Sequence, residues 1–388
     1  MRAIVLALLI SSPAMAGPQS LLSNTVGKVC VQVKGPFSLL GAAIGQEAAV
    51  AITNGPTALA SMGGAIDSTI SELGPIFLDH PQTIGLGRLN VNVLSQTYAL
   101  TQVNGKSLDP LGQTVVFSQP VVAARVSYDA RIRQAAIGLV VTYGLLDHLD
   151  VSLLFPLVYS QVRVSATRQV TDVLQNGKFV PVPNQPIVRA TGEASNFGQG
   201  DLTVRGKYWL TDAPFALAAT VAFQFPTGVP ELLTGTGHYY VDPGLAAAWS
   251  LWGGRAEVNA NLGMLIDLSN LSFSKVSYGI GASAALIPQR LGAVLEIFGQ
   301  SDIAAHFNPD DTAVLTLLSD RQLARQPALG IFFDRIDQVN LSAGLRAPIL
   351  VLGSLTLMLF LTAVVPLNQQ GVRPTGAFVT MGMGGTLR

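Results

Sequence analysis

Apolar and polar residues alternate along much of the chain with a period of two. Between residues 255 and 267, Val258 and Leu262 fall on one face of an extended strand, whereas Asn259 and Asn261 fall on the other. Successive side chains of a strand point to opposite faces of its sheet, so this alternation predicts β-strands. The same pattern recurs in two further segments, residues 201–210 and 338–346.

The connections between the predicted strands alternate between long and short. This rhythm is typical of outer-membrane barrels, which have short periplasmic turns, long external loops and an even number of antiparallel strands. We predict twelve strands; an additional strand at residues 328–333, together with one more upstream, would give fourteen. The twelve are predicted to begin near Leu89, Val121, Leu149, Gly200, Phe215, Tyr239, Ala256, Phe273, Leu291, Val339, Leu355 and Gly376.

Composition and the first residues favour an exported membrane protein. The chain is 49% hydrophobic and only 12% charged, whereas a soluble domain carries about 25% charged residues. Arg2, the apolar residues 3–10 and the Ala14-Met15-Ala16 site predict a cleaved signal peptide, residues 1–16. In lipid, only helices and closed barrels satisfy every backbone group. We therefore predict an all-β fold, an antiparallel transmembrane β-barrel over residues 89–388, located in the bacterial outer membrane.

Two segments leave alternatives open. Residues 17–88 form a pre-barrel segment, which is either a plug in the lumen or a periplasmic extension. Residues 349–365 are apolar enough for a marginal membrane helix, but one such span would not explain the rest of the chain, so we favour strands there.

Alternation also assigns charged residues to the interior, because an Arg facing mid-bilayer lipid costs about 2–4 kcal/mol. A bulge near Pro156 is predicted to exchange the two faces of the third strand. Basic residues prevail in this set, so an open bore is predicted to prefer anions weakly. The predicted lumen-facing residues are Arg125, Asp129, Arg131, Arg133, Arg163, Asp201, Arg205, Lys207, Arg255, Glu257, Lys275, Glu296 and Arg346.

No catalytic, metal-binding or phosphate-binding motif emerges. None of the four histidines lies on a predicted strand, and the chain has a single cysteine, Cys30. We expect no enzyme activity, no cofactor, no metal and no nucleic-acid partner. The expected partners are outer-membrane lipid, a small-molecule substrate and the barrel-insertion machinery. The prediction is a porin-like pore or transporter for small compounds, hydrophobic or aromatic ones among them. The alternative is a non-transporting barrel that acts in structure, assembly or adhesion through its external loops.

Several segments in the first half of the chain resemble a family of bacterial outer-membrane transporter-like proteins linked to the meta-cleavage pathway of phenol degradation. The resemblance implies a transmembrane barrel that admits small or hydrophobic compounds. The matching segments are GPIFLDHPQTIGLGRLNVNV at residues 74–93, TYGLLDHLDVSLLFPLV at 142–158, GQGDLTVRGKYWL at 198–210 and FQFPTG at 223–228.

Overall fold

The structure is a computed structural model, built almost entirely of β-strands. It describes residues 75–100, 102–103, 106–107, 111–118, 121–176, 178–212, 214–304, 337–352, 355–368, 372–373 and 377–387. The strands are β1 (Leu89–Leu100), β2 (Gln102–Val103), β3 (Lys106–Ser107), β4 (Leu111–Ser118), β5 (Val121–Leu146), β6 (Leu149–Gln175), β7 (Lys178–Pro181), β8 (Val188–Gln199), β9 (Leu202–Thr211), β10 (Phe215–Phe225), β11 (Tyr240–Leu251), β12 (Ala256–Asp267), β13 (Lys275–Ile287), β14 (Leu291–Asp302), β15 (Asp337–Leu352), β16 (Leu355–Pro366), β17 (Val372–Arg373) and β18 (Phe378–Leu387). Two 3-10 helices, Pro230–Leu232 and Leu271–Phe273, lie in connections.

Twelve of the described strands close into an antiparallel barrel. Their order around the ring is β1, β5, β6, β9, β10, β11, β12, β13, β14, β15, β16 and β18, and β18 pairs with β1 to complete it. The predicted fold class and the count of twelve are therefore confirmed. The segment that carried the helix alternative forms the end of β15 and most of β16.

One end of the barrel, the turn end, carries the short connections between paired strands, and the opposite end, the loop end, carries the longer ones. β5 and β6, which are 26 and 27 residues long, stay paired past the loop end and form a sheet extension there, which β4, β7 and β8 broaden. No strand was predicted to begin between Leu149 and Gly200, but β8 pairs with β6 along residues 157–168.

The predicted bulge at Pro156 is wrong. Pro156 pairs in register with Gly138, and the irregularities of the β5–β6 ladder lie near Ala124 and Gly144 instead. On its other side, β6 is paired with β9 as far as Leu154 and with β8 from residue 157 onward. Pro156 therefore occupies the gap between two partner strands, where its missing N–H group costs no ladder bond.

The two faces of the wall differ sharply. The outer face exposes large apolar side chains such as Ile137, Leu139, Leu262 and Ile280, whereas the inner face buries Gln134, Asn259 and other polar groups. This arrangement is that of a membrane barrel, whose lipid-facing surface is apolar and whose interior is polar. No helix in the described ranges has the length and hydrophobicity needed to span a bilayer. The expected signal peptide and the additional strand at residues 328–333 lie outside the described residues.

Candidate functional site: a segment seated in the barrel lumen

Residues 75–84, the lumenal segment, lie inside the barrel immediately before β1. Ile76, Phe77, Leu78 and Ile84 are all buried. The segment leaves the wall at the turn end through a tight turn at residues 85–88, where Gly85 and Gly87 have φ values of +87° and +73°. Such positive φ values favour glycine. Two backbone hydrogen bonds, Gly87 N to Gly144 O at 2.8 Å and Gly144 N to Arg88 O at 3.0 Å, fix this turn to β5.

Glu296 on β14 holds the far end of the lumenal segment. Its side chain is 1% exposed and accepts hydrogen bonds from the backbone N–H groups of Ile76 at 2.9 Å, Phe77 at 3.0 Å and Leu78 at 3.2 Å. Ser342 on β15 donates its hydroxyl to the same carboxylate at 2.9 Å. A buried carboxylate needs such partners, and here the lumenal segment supplies three of them.

The middle of the segment binds side chains of two other strands. Asp79 forms an ion pair with Arg205 on β9, and His80 Nε2 lies 3.1 Å from the carboxylate of Glu257 on β12. The side-chain amide of Asn261 on β12 accepts from Asp79 N at 2.6 Å and donates to Asp79 O at 3.2 Å. These contacts satisfy the backbone groups of Asp79 and one oxygen of its carboxylate in a segment that is buried.

The near end of the segment rests on β6 and β9. Ile84 N donates to Asp150 Oδ2 at 2.9 Å, and the same oxygen lies 3.6 Å from the ammonium of Lys207. Lys207 also donates to the backbone carbonyls of His80, at 3.3 Å, and Gln82. The lumenal segment therefore crosses the interior from β6 to β14, with polar contacts along its whole length.

Apolar contacts complete the seat of the segment. The rings of Phe77 and Phe298 stack with centroids 4.6 Å apart and planes 15° apart. The wall carries glycines where Ile76 and Leu78 contact it. A Cβ atom at Gly344 would lie 2.8 Å from Ile76 Cδ1, and a Cβ atom at Gly279 would collide with Leu78. The glycines on β13 and β15 therefore leave the room that the segment fills.

The connection between β10 and β11, residues 226–239, folds inward at the loop end. Leu233 in this external loop is fully buried. Ser160 on β6 donates to Leu232 O at 2.9 Å, and Gln134 on β5 donates to Leu233 O at 3.4 Å. The external loop thereby covers the part of the lumen next to β5 and β6.

Asp201, at the start of β9, ties this external loop to the wall. It accepts from Gly228 N at 2.9 Å, from Thr236 N at 2.8 Å and from the Thr236 hydroxyl at 2.7 Å, and Gln224 donates to it at 3.1 Å. The carboxylate is 3% exposed. The short distances and the burial make Asp201 the main polar anchor that we find for the loop.

A cavity that opens to solvent lies on the loop side of the lumenal segment. Phe77, Leu78 and Asp79 form its floor, and the inward side chains of β9 to β14 form its walls. Wall residues that contribute polar or aromatic groups include Thr203, Arg205, Gln224, Tyr240, Asp242, Ser277 and Phe298. The cavity therefore combines an aromatic floor with a polar wall.

Seven of the residues predicted to face the lumen lie on the inner face and have buried or nearly buried side chains. They are Asp201, Arg205, Lys207, Glu257, Lys275, Glu296 and Arg346. Five of them, Asp201, Arg205, Lys207, Glu257 and Glu296, contact the lumenal segment or the external loop, as described above. Lys275 pairs with Asp302 at 3.3 Å. Arg255 is exposed in the turn between β11 and β12, and the side chain of Arg125 is outside the described residues.

The assignment of Asp129, Arg131, Arg133 and Arg163 to the lumen is wrong. On β5 and β6 the even-numbered residues face inward, Ile132 and Val162 among them, and these four odd-numbered residues share the outer face with Ile137. Past the membrane the outer face meets water, so it becomes polar while the inner face becomes apolar. The pattern therefore reverses along the sequence although the strand itself does not change faces.

The predicted lumen-facing residues did not include Asp79, Asp150, Asp242, Asn261, Asp267 and Asp302. Asp79 lies in the segment GPIFLDHPQTIGLGRLNVNV, whose resemblance to a known family was the available signal. In the barrel wall and lumenal segment, over the described ranges, carboxylates outnumber cations two to one on the inner face. The carboxylates are Asp79, Asp150, Asp201, Asp242, Glu257, Asp267, Glu296 and Asp302, and the cations are Arg205, Lys207, Lys275 and Arg346.

Solved structures with a similar fold include a channel of the COG4313 group from Pseudomonas putida F1 (15% identity, TM-score 0.44, 79% of this chain and 97% of that chain covered). A FadL homologue from Pseudomonas aeruginosa (9% identity, TM-score 0.38, 84% and 97%) and the translocator domain of the autotransporter NalP from Neisseria meningitidis (10%, 0.39, 88% and 96%) also match. No curated protein sequence matches the chain.

The sequence profile of one family matches residues 139–346, which is more than half of the chain. The matched region runs from the middle of β5 to β15 and includes Asp201, Arg205, Glu257 and Glu296. It therefore contains most of the wall that holds the lumenal segment. The chain belongs to this family of outer-membrane β-barrels, which is described as "Putative MetA-pathway of phenol degradation".

Proposed function

We propose that the protein is a channel for small molecules, hydrophobic and aromatic compounds among them, and that the lumenal segment closes its pathway. The observation that carries the proposal is the way in which the segment is held. It crosses the interior, yet its only covalent link to the wall in the described residues is the turn at residues 85–88. All its other contacts are hydrogen bonds, ion pairs and apolar packing, which a conformational change can release.

The cavity above the segment provides the first binding position on this pathway. A planar aromatic compound fits against Phe77 and Phe298, which are already stacked on each other. Asp79 Oδ1 and Gln224 Oε1 are buried acceptors that have no hydrogen-bond partner among the described residues. A hydroxyl group on the ligand would satisfy them, because buried acceptors without partners are costly. The cavity therefore favours aromatic compounds that carry a hydrogen-bond donor.

The interior charges bear on selectivity. With Arg131, Arg133 and Arg163 on the outer face, carboxylates prevail inside. Charged groups that line a pore set its ion preference, and carboxylates favour cations. The sequence-based expectation of a weak anion preference counted the three misplaced arginines and left out five inner-face aspartates, Asp79, Asp150, Asp242, Asp267 and Asp302. We therefore propose the opposite preference for an open lumen.

Planar-bilayer recordings and liposome uptake test the proposal together. In a salt gradient, the reversal potential should have the sign of a cation-preferring pore. Liposomes that contain the protein should admit phenol, a neutral aromatic donor, faster than benzoate, a ring of similar size with a negative charge. Uptake at the rate of protein-free liposomes for both compounds would contradict the channel, and faster entry of benzoate would contradict the selectivity.

The long β5–β6 hairpin favours one alternative, a barrel that acts outside the cell without transport. Its strands continue well past the loop end and present a broad sheet there. The alternative predicts that trimming the strand segments past the loop end abolishes an external interaction and leaves permeability unchanged. The uptake assay separates the two functions, because the alternative also predicts no protein-dependent uptake.

A further inference from the structure

The outer face of β5, β6 and β8 changes abruptly from apolar to charged. On β5 the outward residues from Leu145 to Ala135 are apolar or aromatic. These ten steps rise about 33 Å along the strand, or about 25 Å along the membrane normal at a tilt of about 40°. An apolar band of about 25 Å is the height expected for an outer-membrane barrel. The outer edge of the lipid therefore lies next to Ala135.

An aromatic row marks this edge on the neighbouring strands. Ala135 pairs with Tyr159, and Tyr159 pairs with Phe197. Both rings face outward and are well exposed. Aromatic residues of membrane barrels concentrate at such interfaces. The end with the long loops faces outward in outer-membrane barrels, so the next outward rows lie at the level of the lipid headgroups of the outer leaflet.

Three arginines occupy these rows and form the arginine patch, Arg131, Arg133 and Arg163. Arg133 follows directly after the aromatic row, and Arg131 and Arg163 are paired neighbours in the next row. The side chains of Arg131 and Arg163 are 60% and 57% exposed. Like charges directly opposite each other destabilise a sheet. Paired guanidinium groups at the level of the headgroups therefore favour an anionic partner.

We propose that the arginine patch binds the phosphate groups of lipopolysaccharide in the outer leaflet. Guanidinium groups bind phosphate with two parallel hydrogen bonds and are only weakly hydrated. Basic clusters placed at the headgroup level recognise anionic lipids. Three arginines within two adjacent rows can reach more than one phosphate of the same glycolipid molecule.

Two carboxylates flank the patch and fit the proposal. Arg163 lies 2.9 Å from Glu193 on β8, and Arg131 lies 3.7 Å from Asp129. These ion pairs are exposed, so they contribute little to stability, and a phosphate can replace or share them at small cost. Because the carboxylates number two against three guanidinium groups, the patch keeps a net positive charge.

The test measures binding of fluorescent lipopolysaccharide to the detergent-purified full-length protein. The triple variant Arg131→Ser, Arg133→Ser, Arg163→Ser should bind about a hundredfold more weakly, given the attraction expected for each basic residue near an anionic lipid surface. Arg290→Ser is the matched control, because Arg290 is also exposed but lies at the turn end. Heat-modifiable gel migration shows that each variant is a folded barrel.

Two further arms identify the ligand. Chemically dephosphorylated lipopolysaccharide should bind the wild type and the triple variant equally weakly. A variant with three lysines in place of the arginines should retain part of the affinity, because it keeps the charge and loses the bidentate geometry. Equal lipopolysaccharide affinity of the wild type and the folded triple variant would overturn the proposal. So would displacement by inorganic phosphate at the concentration of the lipid phosphate, which would assign the patch to free phosphate.

Discussion

Replacing Glu296 by Gln should open the lumen. The substitution keeps the size of the side chain, but it replaces a carboxylate that accepts from Ile76, Phe77 and Leu78 by an amide with one acceptor oxygen. Ile76 and Leu78 donate to Oε1, Phe77 donates to both oxygens, and Ser342 donates to Oε2. An amide that keeps its oxygen at the Oε1 position retains the three backbone bonds but makes them neutral, and its NH2 group faces the Phe77 N–H at the Oε2 position. A hydrogen bond to a charged group contributes about 1.5–3 kcal/mol and a neutral one about 0.5–1.5 kcal/mol, so weakening three bonds costs about 3–4.5 kcal/mol of docking free energy. The undocked fraction should rise by about two to three powers of ten.

Single-channel recording in planar bilayers measures this change. Glu296→Gln should open far more often than the wild-type protein in the same salt and voltage. Glu193→Gln is the control, because it removes an exposed carboxylate of β8 that does not contact the lumenal segment. Wild-type opening frequency in a folded Glu296→Gln barrel would refute the assignment of Glu296 as the residue that holds the segment closed.

Three further predictions follow from the same geometry. Gly344→Val should also raise the opening frequency, because its side chain would occupy the space of Ile76; unchanged recordings would show that the segment has room to adjust. Leu262→Arg should destabilise the barrel by about 2–4 kcal/mol in urea unfolding, since Leu262 is 57% exposed on the lipid-facing side. Ser195→Arg is the control, because Ser195 lies beyond the apolar band, and it should leave the stability unchanged. Equal stability of the two variants would mean that the band is misplaced. A tag inserted after Asn176 should bind antibody on intact cells and one after Gly253 should not; the reverse labelling would invert the barrel.

The strand positions were predictable because turn chemistry and alternation agree at the turn end. Predicted and observed strands begin at the same residue for β1, β5 and β6, among others, and β9 and β13 begin two residues later than predicted. Short turns leave the chain little freedom, so glycine, aspartate and proline mark them well. The existence of the barrel follows from the alternation of apolar and polar positions.

Alternation did not predict which residues face inward where β5 and β6 extend past the loop end. Inside the membrane, lipid makes the outer face apolar; beyond it, water makes the outer face polar. The rule that sends charge to the lumen therefore fails at Arg131 and Arg163, which lie past the aromatic row. β8 was missed for a related reason: outside the lipid, its residues Thr191, Glu193 and Ser195 give no apolar stripe.

The lumenal segment shows a different limit. Sequence analysis left residues 17–88 open between a plug and a periplasmic extension. Residues 75–84 lie in the lumen and residues 85–88 form the turn into β1, whereas residues 17–74 lie outside the described residues. Nothing in the period-two pattern pairs Glu296 with Ile76, because the contact joins residues 220 positions apart. Only the closed barrel brings them together.

The position of the lumenal segment next to β1 constrains how the protein is assembled. β1 pairs with β18, so the ring closes only when the last strand of the barrel has joined the first. The segment must enter before that step or pass through the turn-end opening afterwards. If the segment enters first, it can contact Asp150 and Glu296 while the wall is still open. These contacts would bring β6 and β14 together before the ring closes. Substitutions such as Glu296→Gln would then slow membrane insertion, and the yield of folded protein would fall even though the finished barrel is stable.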